Sequence, residues 1–116
     1  MRWSVTLSIN VPIFCKVVVP SAAATLDRIY DIIKQELSFE IYSAESRAFL
    51  VECVRELARD GADAVILGCT ELELLVGSED VPDVKLLQSA ALHIEAAASV
   101  ATGQARVEDF APPGTP

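Results

Sequence analysis

No stretch of this 116-residue chain approaches the ~20 consecutive apolar residues that a membrane-spanning helix requires. Cations are few. Nine Lys and Arg lie scattered among 17 Asp and Glu, for a net charge of −8, so the basic patch that nucleic acid or an anionic membrane surface demands is not formed. Glycine is sparse as well: five residues, beside a 52% hydrophobic share, indicate a packed globular domain and exclude a disordered one. Histidine is reduced to His93, which lies in an Ala-rich segment and reads as a surface or packing residue. The three cysteines, Cys15, Cys53 and Cys69, cannot all pair and form no C-x-x-C spacing for zinc or redox work. The simplest reading is reduced thiols in a cytoplasm, with no metal.

The length suits one domain with a modest core. Arg2, an apolar stretch and Ser21-Ala22-Ala23-Ala24 imitate a signal peptide, but Asn10, Pro12 and Lys16 interrupt the stretch, so a strand is expected there. Met1 to Asn10 alternates weakly with period two, and Cys15 to Val19 is a second β-branched run. From Ala22 the period lengthens, and Leu26, Ile29, Tyr30, Ile33 and Leu37 share one helical face. Phe49, Leu50, Cys53, Val54 and Leu57 repeat that spacing on a second helix, which Ser43 is placed to cap and Asp60-Gly61 to stop. A strand at Ala64 to Leu67, a helix from an N-cap at Thr70 to about Val76, a strand at Val84 to Leu87 and an Ala-rich helix from Ser89 to about Ala101 complete the pattern. Strands alternating with helices predict an α/β fold with a mostly parallel sheet, ligands gathering at the carboxyl ends of the strands. Residues 1–102 are read as that domain and 103–116, rich in proline, as a flexible tail.

Gly68-Cys69-Thr70-Glu71 follows the third strand and opens a helix. A thiolate is favoured there by unpaired N–H groups and partial positive charge, which predicts a lowered pKa for Cys69 and makes it the candidate acid/base. Its plain alternative is a small buried hydrophobe. Thr70 is placed to bind a substrate carboxylate with its hydroxyl and N–H, or simply to cap the helix. Gly68 is expected to let the backbone turn tightly beneath a ligand. Glu71, in the first turn, suits the helix dipole but would oppose a thiolate if it lay close to Cys69. Cys15 and Cys53 read as structural, and Glu45 and Arg47 as a charged pair at a helix start.

The stretch Gly61-Ala-Asp-Ala-Val-Ile-Leu-Gly-Cys-Thr-Glu-Leu72 resembles the second cysteine motif of the aspartate/glutamate racemase superfamily. Asp27-Arg28-Ile29-Tyr30, Glu36-Leu37, Glu45-Ser46-Arg47 and Ala90-Ala91-Leu92-His93-Ile94-Glu95 extend the resemblance over roughly Val17 to Ala101. Glu71, where glutamate racemases usually carry His, points to the aspartate-racemase-like branch. The resemblance implies one half of a two-domain, pseudo-symmetric architecture. It also implies racemisation without pyridoxal phosphate or any other cofactor, by a pair of thiols, one per half, acting on a small amino-acid or carboxylate substrate. Cys69 corresponds to the thiol of the second half. A homodimer offering two Cys69 thiols to one cleft is one way to complete the pair. The alternative is a racemase-fold domain that binds a small anion or a partner chain without turnover. Two positions depart from the family pattern: Glu40-Ile41 stands where Gly-Lys is frequent, and Gln88-Ser89 where Asp-Thr is common.

Overall fold

A computed structural model describes the backbone of residues 4–9 and 11–16 and, with side chains, residues 20–110. It divides into two compact units, Val19–Ala90 and Met1–Val18 with Ala91–Pro116.

The larger unit carries the α/β pattern. Helix α1 (Ala23–Asp31) runs into a five-residue π-helical stretch, Ile32–Glu36, and a short 3-10 turn, Leu37–Phe39. The π stretch alters the expected face. A π turn bonds residue i to i+5, so Ile32 and Leu37, five apart, are both buried, whereas Leu26 and Tyr30 are exposed. Helix α2 (Ala44–Arg59) opens at Ser43, whose side chain accepts from the Ser46 N–H, and ends at Asp60 before Gly61 at φ +93°. Its expected face is the buried one: Leu50, Cys53 and Val54 are inside, Phe49 and Leu57 half-buried, and Ser46 joins them.

Strand β3 (Val65–Leu67) pairs in parallel with β4 (Leu86–Gln88), Leu67 standing opposite Gln88. The expected strand from Val84 begins two residues late because Val81–Val84 closes a turn, Val84 N–H donating to the Val81 carbonyl. Between the strands, α3 (Thr70–Leu75) is held by Leu75 and Val76, which pack with Ile32, Leu37 and Leu50. Val65, Val54 and Val81 form a second cluster. The sheet is covered on one face, since Val65 and Leu67 are buried while Ile66 is 65% exposed. Helix α4 (Ser89–Ala101) begins directly after β4.

In the other unit, β1 (Ser4–Ile9) and β2 (Val11–Lys16) pair antiparallel, with Ile9 opposite Val11. This antiparallel pair is a sheet of its own, distinct from the parallel β3–β4 pair of the larger unit. Adjacent strands close together in sequence can only fold back on one another, whereas parallel pairing needs a crossover such as α3 provides. The expected strand residues Val17–Val19 lie outside the described residues, as does the side chain of Cys15. Gly103, at φ +73°, follows α4, and Val107–Asp109 forms a 3-10 turn in which Arg106 N–H donates to Asp109 Oδ2 at 2.8 Å. The remainder of the expected tail, 111–116, lies outside the described residues.

Candidate active site

The carboxyl ends of β3 and β4 lie side by side, and each feeds a helix start: Gly68-Cys69 leads into α3 and Gln88 into α4. Ser89 ties them together, its hydroxyl donating to the Leu67 carbonyl at 2.7 Å. Glu73, on α3, accepts from the Ala90 N–H at 2.7 Å and lies 3.3 Å from Ser89 Oγ. It therefore caps α4 from outside that helix. Glu73 was not among the residues singled out from sequence, because its role depends on a partner 17 positions away, beyond any local spacing signal.

Cys69 occupies the cap position of α3 with extended backbone, φ −134° and ψ 131°, and Thr70 is the first helical residue. The expected N-cap at Thr70 is thus corrected by one position. Sulfur is a weak acceptor, and the Cys69 side chain makes no capping bond. The Thr70 hydroxyl instead donates to Glu71 Oε2 at 2.8 Å, and Cys69 Sγ–H donates to the same oxygen at 2.8 Å. Glu71 is therefore the hub of the tetrad. Gly68 has no left-handed backbone, and a Cβ there would meet no atom within 4 Å. Neither a strained turn nor crowding requires glycine at 68.

The electrostatics overturn the expected lowering of the Cys69 pKa. Burial first, and then the hydrogen bond and negative charge of Glu71, push the thiol up; only backbone N–H groups at Glu71 and Leu72 act against them. The helix is six residues long, and a full carboxylate at contact distance outweighs its partial charge. Glu71 is correspondingly held below the usual carboxylate range by its bonds from Cys69 and Thr70. Cys53, buried on α2, is raised mainly by desolvation, as a structural thiol is.

A hollow of about 350 Å³ lies elsewhere, between α2 and the 81–84 turn, and shares no residue with the Cys69 loop. Its Arg59 is already paired with Glu52 at 2.6 Å. Polar groups converge instead around the Cys69 loop and the Ser89 helix start. Glu45 and Arg47 do not pair with each other: Glu45 meets Arg28 at 2.7 Å and Arg47 meets Asp80 at 3.4 Å. His93 is exposed on α4. No group of His, Cys, Asp and Glu suited to a metal ion occurs among the described residues, and no described helix is long and apolar enough to cross a membrane.

A family model for Asp/Glu/hydantoin racemases matches residues 17–97, from the end of the hairpin through most of α4. The chain belongs to that family. A solved Yersinia pestis protein assigned as an Asp/Glu racemase superposes on this racemase-family domain with a TM-score of 0.67 and 32% sequence identity. The superposition covers 74% of this chain and 36% of that one, so the domain spans little more than a third of that protein's length. The α/β class with its parallel pair is shared with that structure. The racemase-family match contains the whole tetrad Gly68 to Glu71 as well as Glu73 and Ser89.

Proposed function

We propose that this domain serves cofactor-independent racemisation of an acidic amino acid, with Cys69 as one of the two acid/base groups at the α-carbon. The observation that carries this reading is the placement of a cysteine, within a racemase-family match, at the carboxyl end of a parallel strand beside a hydroxyl donor. Removing an α-proton and returning one to the opposite face takes two positioned groups, and a thiol switching between its two forms is suited to either step. Thr70 contributes its backbone N–H for the substrate carboxylate, its hydroxyl being engaged by Glu71, and Gly68 leaves bare backbone against which the ligand rests. Such a mechanism keeps its thiols reduced, which fits a cytoplasmic setting.

A second reading has one specific observation in its favour. Among the described residues the site brings together a single thiol, and its neighbour Glu71 opposes the thiolate. A domain with half of the pair would bind a small carboxylate or a partner chain without turnover. The readings separate when L- and D-aspartate and glutamate are incubated with the protein in deuterated water and the α-proton is followed by NMR. Exchange that is lost in Cys69→Ala supports the racemase reading. No exchange from folded wild-type protein, at any concentration, leaves the binding domain.

A further inference from the structure

Glu71 Oε2 receives two hydrogen bonds, from Cys69 Sγ and from Thr70 Oγ1, both at 2.8 Å. The second fixes the acceptor in place for the first. Two roles are open to a carboxylate so disposed. It either takes the thiol proton and generates a thiolate, or it holds the proton on sulfur. Ordinary acidities decide between them: a thiol near 8.5 and a glutamic acid near 4.3 differ by about four pKa units, so transfer to the carboxylate is disfavoured about ten-thousand-fold. The environment widens that gap, since the thiol is pushed up and the carboxyl down. Glu71 is the charged group that acts on the thiol among the described residues.

We propose that Glu71 is the positioning residue of Cys69, holding it as a neutral thiol so that Cys69 enters the reaction as the proton donor. The proposal rests on the racemase reading. In the forward step the partner base takes the α-proton, the Cys69 S–H bond breaks, and its proton goes to the opposite face of the α-carbon. A thiolate remains on sulfur and Glu71 stays ionised throughout. The resulting pair of adjacent negative charges makes that thiolate a strong base, ready to take an α-proton from the next substrate molecule in the reverse sense. The direction in which the site first fires is then set by Glu71, and the partner group has to rest as the base.

The test is the pH profile of Cys69 alkylation by iodoacetamide, resolved from Cys15 and Cys53 by peptide mass spectrometry, in wild type, Glu71→Gln and Glu71→Asp. Glutamine keeps the shape and removes the charge, so the midpoint is expected to fall by about one pH unit or more, with about tenfold faster alkylation near neutral pH. Aspartate, one methylene shorter, is expected to fall between the two. Circular dichroism of each variant shows whether the fold is kept, and Glu71→Asp provides the comparison if glutamine is not tolerated. Identical profiles in all three proteins, or a midpoint that rises in Glu71→Gln, would overturn the proposal. Its failure is distinct from that of the racemase reading. A shifted profile without α-proton exchange in wild type removes the racemase chemistry and leaves the coupling; exchange with an unshifted profile does the reverse.

Discussion

Glu40 stands at φ +58°, in the left-handed region, directly after the 3-10 turn that ends the first helical segment. A side chain there brings Cβ close to the following carbonyl, at a cost of roughly 1–2 kcal/mol that glycine avoids. The superfamily pattern with glycine at this position thereby acquires a physical reason. Glu40→Gly is expected to raise stability by about 1 kcal/mol, read as a higher urea midpoint at unchanged slope. Cys53 and Cys69 give a second expectation at this scale. Both thiols are raised in the folded chain, so above about pH 8.5 the unfolded chain sheds protons that the folded one keeps. The sign follows: stability falls as pH climbs through that region, and Cys53→Ala is expected to flatten the decline in a series of urea midpoints from about pH 7 to about pH 10. The tetrad at 68–71 was legible as a motif, but the sign of the Cys69 perturbation was not. It depends on the rotamer of Glu71, which brings a carboxylate to 2.8 Å from sulfur, and spacing along the chain does not encode rotamers.

At the level of elements, α2 was readable almost residue by residue, because one amphipathic face, one serine cap and one glycine stop all agree. The preceding segment was readable only in part. Its π stretch widens the turn, and Glu36 at its end becomes an anchor for the next helix: Ser43 Oγ donates to Glu36 Oε2 at 2.9 Å, and Ser46 Oγ lies 2.7 Å from both carboxylate oxygens. Ser46 is 1% exposed, so its hydroxyl has no water to fall back on. Replacing it by alanine is expected to destabilise the domain by about 1–3 kcal/mol through the lost partner of a charged group, against about 1 kcal/mol or less for a surface ion pair such as Arg28–Glu45. Thermal denaturation of Ser46→Ala beside Glu45→Ala checks that order. Equal losses would mean that the Glu36 anchor contributes no more than a solvated charge pair. The resemblance marked Glu36, Glu45, Ser46 and Arg47 as a set without revealing that Ser46 carries the packing and that the two charges serve different partners.

For the molecule as a whole, the parallel pair β3–β4 has Val65 and Leu67 inside and Ile66 65% exposed. Parallel sheets are ordinarily covered on both faces. On the racemase reading a two-group site needs a second acid/base beside Cys69, and among the described residues the tetrad brings together a single thiol. A second copy is one source: a two-fold axis near the strand ends would set two Cys69 side chains across one cleft, one protonated as the donor and the other ionised as the base. Because each Glu71 opposes ionisation of its own Cys69, one thiol of such a pair gives its proton to solvent while the other keeps its own as the donor, so the active species would be asymmetric. This predicts α-deuterium exchange whose specific rate climbs with protein concentration through the monomer–dimer midpoint measured by sedimentation. Mixing an excess of Cys69→Ala chains into wild type should suppress it, since mixed dimers hold one thiol. A specific rate independent of concentration and indifferent to the mutant chains would place the partner group within the same chain and remove the need for a second copy.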